Sequence, residues 1–343
     1  LTVTTQSRKR SLSGRGSRRA DDHIYAAIDL GTNNCRLLVA RRNRKSFRVL
    51  DTFSRIVRLG EGLGQSGLLS DAAMNRTISA LSICATKLQR RGVTRLRCVA
   101  TEACRRATNR NIFVERVAAE TGLQLEIIDH SEEANLGILG CAPLLNPEIP
   151  EALIFDIGGG STEVSWIRLP EASAGSNGPE PVMQDWFSVP KGVVSLAEKY
   201  GGRDIPQNVY RQMVGEIQDD FLAFEEKHGF AGRIAEGKLQ MLGTSGTVTT
   251  LVGVYKKLPR YDRNRVDGTL MNRTTAVGLC HKIAAMSYDQ RVANPCIGDQ
   301  RADLVVAGCA IFEALARLWP VPQLRVADRG LREGILYKLM NGG

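Results

Sequence analysis

The sequence predicts an α/β protein made of two similar halves that face each other. Two stretches repeat one pattern: an apolar strand, an aspartate, a glycine-containing polar turn and a returning strand. The first runs through Asp29 and the second through Asp156, 127 positions later. A repeat of this kind marks two copies of one structural unit. A length of 343 residues is also what two domains need. Between and after these stretches, short strand-like runs alternate with helical periodicities, the pattern of an α/β fold.

In the first half, Ile24 to Ile28 reads as a strand ending at Asp29, residues 30–34 as a turn, and Cys35 to Ala40 as the return. Thr32, Asn33 and Asn34 offer hydroxyl, amide and backbone donors, which suits a phosphate position, although Asp-x-Gly-Thr alone is also an ordinary turn. Arg58 to Gly67 is a glycine-dense loop with one cation, either a flexible surface loop or a means of bringing Arg58 to an anion. Ser70 begins a helix in which Met74, Ile78, Leu81, Ala85 and Leu88 recur at helical spacing, and Gly92 stops it. Arg95 to Ala100 reads as a strand, and residues 101–106 turn into a helix. Arg105 and Arg106 there suit a phosphate clamp, because guanidinium meets phosphate in two-point geometry; a solvated basic helix face is the plainer alternative. Leu123 to Ile128 reads as another strand. Glu132 and Glu133 open the next helix, which runs towards Leu145. Glutamates in a first turn also simply favour the helix dipole.

Residues 143–150 read as a connector to the second half. Ala152-Leu-Ile-Phe-Asp156 runs into Gly158, Gly159, Gly160, Ser161, Thr162 and Glu163, after which a strand resumes. Three successive glycines leave backbone N–H groups with no side chain over them, and such groups cradle anions. Asp156, at the end of a buried strand, suits Mg²⁺ or its water shell, with Glu163 a second carboxylate for the same ion. A glycine hairpin with acidic flanks is the plainer alternative. Residues 170–181 read as a surface loop, followed by helices at 193–200 and 207–228. Strand 239–242 enters Gly243-Thr-Ser-Gly-Thr247 ahead of an apolar helix, a geometry that places phosphate at a helix N-terminus. Lys256, Lys257, Arg260, Arg263 and Arg265 form either a solvated loop or a track for a long polyanion. Helix 301–318, strand 323–327 and helix 329–340 close the chain.

Composition narrows the class. At 43% hydrophobic and 24% charged residues the chain has enough apolar material for real cores. It contains no run of 18 apolar residues, so no membrane partner is expected. Of the net charge of +10, six units come from Arg8, Lys9, Arg10, Arg15, Arg18 and Arg19, leaving +4 for residues 21–343. Residues 1–20, rich in Arg, Ser and Gly, are expected to be a disordered basic tail. The tail lacks the apolar core of a secretory signal; its composition resembles a transit peptide, with a solvated tail preferred. Nucleic-acid binding would rest on that tail alone, so no specific nucleic-acid partner is expected. The chain begins at Leu1, as a missing initiator or an alternative start codon would leave it. Eight scattered cysteines with no Cys-x-x-Cys predict reduced, buried thiols in a cytoplasmic protein. His23, His130, His228 and His281 form no close pair, which disfavours a zinc or histidine-based phosphohydrolase centre.

Seven stretches, in order, carry a resemblance: Asp29-Leu-Gly-Thr-Asn-Asn34, Arg58-Leu-Gly-Glu-Gly62, Ala100-Thr-Glu-Ala-Cys-Arg105, Glu132-Glu-Ala134, Asp156-Ile-Gly-Gly-Gly-Ser-Thr-Glu163, Gly243-Thr-Ser-Gly-Thr247 and Leu331-Arg-Glu-Gly-Ile-Leu-Tyr337. The chain resembles the exopolyphosphatase and guanosine pentaphosphate phosphatase family, within the superfamily of actin, sugar kinases and the heat-shock chaperone ATPase. The resemblance implies two actin-like (ribonuclease H-like) domains, residues 21–138 and 139–343, with the active site in the cleft between them. The last helix is free to pack back on the first domain. The chain looks like a short two-domain form without the C-terminal helical domain of longer members. It implies Mg²⁺-dependent hydrolysis of the terminal phosphoanhydride of inorganic polyphosphate, with guanosine pentaphosphate as the alternative substrate. A homodimer is an allowed assembly. A non-catalytic sensor of polyphosphate or of a guanosine alarmone is a further alternative, and a kinase of the superfamily is disfavoured by Glu133 beside the metal carboxylates.

By the same resemblance, Glu133 activates the attacking water. Asp156 and Glu163 hold the metal, with Asp29 assisting. Thr32, Asn33, Asn34, Arg105, Gly158, Gly159, Gly160, Ser161, Thr162, Gly243, Ser245, Gly246 and Thr247 contact phosphate. Asn135 stands where many relatives carry Arg, which removes an anion contact. The chemistry suits these residues on their own terms: a phosphoanhydride needs its charge neutralised and an in-line water, not a covalent nucleophile. Backbone N–H groups, Arg and Mg²⁺ supply the first, and a carboxylate near water the second.

Overall fold

A computed structural model of the protein describes residues 23–43, 46–170 and 181–342. The basic tail and all but the ends of the loop expected at 170–181 lie outside the described residues. The first half runs through β1 (Ile24–Leu30), β2 (Asn34–Asn43), β3 (Ser46–Ile56), the short α1 (Leu63–Ser66), α2 (Asp71–Arg91), β4 (Arg95–Ala100), α3 (Glu102–Arg106), α4 (Arg110–Thr121), β5 (Glu126–Ile127) and α5 (His130–Cys141). The second runs through β6 (Glu151–Ile157), β7 (Thr162–Arg168), β8 (Val182–Val189), α6 (Val193–Tyr200), α7 (Gln207–His228), α8 (Phe230–Ala235), β9 (Leu239–Thr244), α9 (Gly246–Tyr255), α10 (Arg263–Val266), β10 (Leu270–Asn272), α11 (Arg273–Ala284), α12 (Tyr288–Ala293), α13 (Val305–Leu318), β11 (Gln323–Ala327) and α14 (Leu331–Met340).

The two sheets have the order β3-β2-β1-β4-β5 and β10-β11-β9-β6-β7-β8. Read from β8 to β11, the second repeats the first: an antiparallel triple (β3-β2-β1 and β8-β7-β6), then two strands parallel to its last member, β1 or β6. Register repeats too. Asp29 lies opposite Arg36 in the first sheet, and Asp156 opposite Glu163 in the second.

Local chemistry sets the elements that lead to the cleft. The Ser70 hydroxyl caps α2 by accepting from Ala73 N–H at 3.2 Å, and Gly92, at φ 62°, ends it in the left-handed conformation. Asp129 caps α5 by accepting from Glu132 N–H at 2.8 Å, which fixes Glu132 and Glu133 in the first turn. The strand expected at 123–128 is shorter, because only Glu126 and Ile127 pair with β4 before the chain turns into that cap. The helix expected at 301–318 starts at Val305; residues 301–304 form turns instead, with Arg301 and Ala302 donating N–H to the Gly298 carbonyl and Leu304 to that of Arg301.

Four buried clusters hold the molecule. Ala26, Ile28, Leu30, Leu37 and Val39 pack against α2 and α4 on one face of the first sheet. Tyr25, Ala27, Leu38 and Ala40, on the other face, pack against Ile335, Leu336 and Met340 of α14. The second sheet buries Phe155 and Val164 beneath α7, α9 and α13, while Ile154 and Ile167 face Ile138 and Cys141 of α5. Thus α5 and α14 lie together between the two sheets. They cross so closely that a Cβ at Gly140 would fall 2.0 Å from the Gly330 carbonyl, and one at Gly334 1.8 Å from that of Leu136. All eight cysteines are buried and free. No helix among the described residues is long and apolar enough to cross a membrane.

Candidate active site

A cleft of about 540 Å³ opens where the parallel strands of both sheets end, the usual ligand position in such folds. Its floor is Asp29 and Asp156, at the ends of β1 and β6. Its walls include Thr32, Asn33, Asn34, Glu133, Gly158, Gly159, Gly160, Ser161, Glu163, Ser245, Gly246 and Thr247. The two turns touch: a Cβ at Gly159 would lie 3.1 Å from Thr32 Cβ, and one at Gly160 3.0 Å from its hydroxyl. A side chain at either position would have to push the facing turn back, so glycine suits this close approach. The carbonyls of Gly158 and Gly159 accept from Val193 and Val194 N–H at 3.0 and 2.8 Å, which anchors the glycine turn to α6. The N–H groups of Thr32, Asn33, Gly159, Gly160 and Ser161 have no acceptor among the described residues. Asn33 Oδ1 and the Ser245 hydroxyl are buried without partners. Unpaired donors and buried polar atoms around one cleft are a cradle for an anion.

Three expected phosphate contacts stand outside that wall. Arg105 donates to Glu133 Oε2 at 2.7 Å and to Glu102 Oε2 at 3.0 Å, so its guanidinium is engaged by carboxylates. The Thr162 hydroxyl donates to the Lys191 carbonyl at 2.8 Å. Gly243 is a packing residue, since a Cβ there would meet the Phe155 ring at 2.3 Å. Asn135 is exposed, away from the cleft.

The carboxylates share one electrostatic setting. Burial raises the Glu133 carboxyl to about 7, Arg105 opposes this, and the charges of Asp29 and Asp156 add to it. Burial raises Asp156 to about 6, with Arg36 opposing and Asp29 adding. Asp156 is nonetheless open to water in the cleft. Burial also lifts Asp29, against Arg36 and Arg332, and Glu163, which the charges of Glu133 and Asp156 push further. Glu132 faces elsewhere: it accepts from Arg97 at 2.8 Å.

The cleft also holds Arg263, from the basic stretch expected to be a solvated loop or a polyanion track, and four arginines to which the sequence assigned no role: Arg36, Arg301, Arg329 and Arg332. Arg263 pairs with Glu333 and Arg329 with Asp267. Among the described residues, Arg36, Arg301 and Arg332 have no carboxylate within ion-pair distance, and burial pulls the pKa of Arg301 and Arg332 down. Unpaired guanidinium groups in a cleft call for an anionic ligand. For Arg36 a signal was present. It follows Asp29 by the same seven positions that separate Glu163 from Asp156, so the repeat itself points to it.

The donor set fits Mg²⁺. Asp29 and Asp156 make no ion pair or side-chain hydrogen bond among the described residues, and Glu163 accepts from Ser188 at 3.1 Å. Their oxygens are the hard ligands that this ion prefers. No three Asp, Glu, His or Cys side chains among the described residues are gathered closely enough to hold a metal alone. Mg²⁺ does not need that, because it keeps waters and takes substrate phosphate oxygens beside one or two carboxylates.

The duplicated sheet, the cleft and the phosphate-type turns define a two-domain protein of the actin-like class. More narrowly, the Ppx/GppA phosphatase family profile matches residues 38–342, and the chain belongs to that family. It is 29% identical over 329 residues to exopolyphosphatase 2 of Mycobacterium tuberculosis, covering 92% of this chain and 98% of that one. The crystal structure of the Aquifex aeolicus Ppx/GppA family member superposes with a TM-score of 0.73 at 26% identity, covering 94% of this chain and 99% of that one. An exopolyphosphatase from Cytophaga hutchinsonii shares the fold, with a TM-score of 0.81 at 23% identity over 93% of this chain and 98% of that one.

Proposed function

We propose that the protein is an exopolyphosphatase that hydrolyses the terminal phosphoanhydride of inorganic polyphosphate. The observation that carries this is Glu133, a carboxyl near pKa 7, facing the same cleft as the free N–H groups of the two turns. The turns and the unpaired Arg36, Arg301 and Arg332 bind and neutralise the terminal phosphate. Glu133 orients a water and takes its proton, the water oxygen bonds to the terminal phosphorus, and the bridging P–O bond breaks. Orthophosphate and a chain one phosphate shorter leave. Asp156 and Glu163, with Asp29 assisting, hold Mg²⁺, which when bound supplies further charge neutralisation on the phosphoryl oxygens. The name of the Mycobacterium tuberculosis relative supports polyphosphate over guanosine pentaphosphate.

Phosphate release from both substrates, with and without Mg²⁺, tests the reading. Release from polyphosphate that stops when the metal is chelated is expected. Faster release from guanosine pentaphosphate would transfer the activity to that substrate, and binding with no release from either would make the protein a sensor.

A further inference from the structure

Residues 57–60 are hydrogen-bonded to the first phosphate turn. Val57 and Arg58 donate their N–H groups to the Asn33 carbonyl at 2.9 and 3.1 Å, and Gly60 donates to that of Thr32 at 3.0 Å. The Arg58 side chain then crosses to the second half, where its Nη2 donates to Asp303 Oδ2 at 3.0 Å. Asp303 precedes α13 and adjoins Leu304, which lies in the wall of the cleft. Its other oxygen, Oδ1, is buried with no partner, so Arg58 makes the only side-chain hydrogen bond to this carboxylate among the described residues. Asp303 is also braced from behind, since a Cβ at Gly202 would fall 2.5 Å from its carbonyl. Arg58 holds φ at 48°, a left-handed conformation that a residue with a side chain adopts at a cost. Arg58 is not itself part of the cleft wall.

We propose that Arg58 is a positioning residue: its ion pair with Asp303 ties the Thr32–Asn33 turn to the opposite wall and holds the cleft closed. The kinetic consequence rests on the cleft being the hydrolytic site argued above. A partly exposed ion pair shifts a population by only a few-fold, and the half-paired state of Asp303 places this one at the upper end. An unlatched cleft is competent for a smaller fraction of the time, whereas a substrate that bridges both walls restores closure once bound. The latch therefore acts on KM and hardly on kcat.

The test compares wild type, Arg58→Gln, Asp303→Asn, the double variant and Arg58→Lys on a short polyphosphate with Mg²⁺. Each neutralising variant is expected to raise KM by roughly three- to tenfold with kcat within about twofold, and the double variant to be no worse than either single one. Arg58→Lys, which keeps the charge, should recover part of the loss. Additive effects would mean that Arg58 meets the substrate itself, and an unchanged KM would mean that the pair does nothing; either overturns the proposal. Small-angle X-ray scattering of the full, substrate-free chain separates a wrong latch from a wrong substrate. The radius of gyration should be larger in Arg58→Gln than in wild type, and equal radii overturn the proposal whatever the kinetics.

Discussion

Glu132 and Glu133 are adjacent on one helix and have opposite surroundings. Consecutive helical residues point about 100° apart. Glu132 turns outward to Arg97, and Glu133 turns into the cleft to meet Arg105. A general base contributes roughly 10²–10⁴-fold, so Glu133→Gln should lower the hydrolysis rate by about that factor while polyphosphate still binds. Glu132→Gln should cost far less. A folded, substrate-binding Glu133→Gln protein that turns over at the parent rate would remove this residue from the mechanism. The base must be ionised to act, so kcat/KM should rise with pH through about 7 in wild type, and that limb should vanish in Glu133→Gln. Arg105 holds the Glu133 carboxyl down against burial, so Arg105→Gln should move the limb to higher pH. An Arg105 that only contacts phosphate would change KM and leave the limb in place.

The elements were legible where local chemistry and tertiary structure agree. Capped α2, the apolar runs of β1 and β6, and the Asp29/Asp156 repeat could all be read directly, and the repeat is the reason that the sheets share one strand order. β3 could not, and the reason is specific. A register shift at Val39/Ala40 interrupts the two-residue alternation, so Phe47 faces the α14 side while Leu50 and Phe53 face the α2 side. A spacing of three between apolar residues does not look like a strand. The crossing of α5 and α14 was hidden too, because a glycine inside a helical pattern ordinarily only weakens it. Here two glycines allow helix backbones to touch. Gly334→Ala must push a methyl against the Leu136 carbonyl, and overpacking at backbone costs about 1–3 kcal/mol or more. Gly215→Ala on α7, where the added carbon meets nothing within 4 Å, should instead gain roughly 0.5–1 kcal/mol. Thermal unfolding of both variants checks the contrast, and two shifts of the same sign would show that the crossing tolerates a side chain.

For the molecule as a whole, the site opposes the fold at neutral pH. Asp156 rises from 3.8 to about 6 and Glu133 from 4.5 to about 7, so the folded chain binds protons that the unfolded chain has released. The stability that these groups contribute is complete below their unfolded pKa values and is lost as pH rises through the folded ones. Structural pairs act in the other direction. Burial works against Glu216, but bonds from Lys191, Lys199 and Tyr200 hold it down at about 2, so its contribution is present above 4.5 and is lost as pH falls through about 2. Acid of about pH 4, close to the unfolded carboxyl pKa values, is where both sets are best served, and the melting temperature should peak there. Asp156→Asn removes one cleft titration without removing a hydrogen bond that the fold uses. In chelator, its melting temperature should exceed that of wild type, and the gap should widen from about pH 4.5 and level off above about pH 6, once the native carboxylate has ionised. Mg²⁺ reverses the order. An ion that binds only the folded state stabilises it by mass action, so adding Mg²⁺ at about pH 8 should raise the melting temperature of wild type and move Asp156→Asn little. A gap that stays constant with pH would mean that the effect is packing rather than charge. An equal response to Mg²⁺ in the two proteins would take Asp156 out of the metal site.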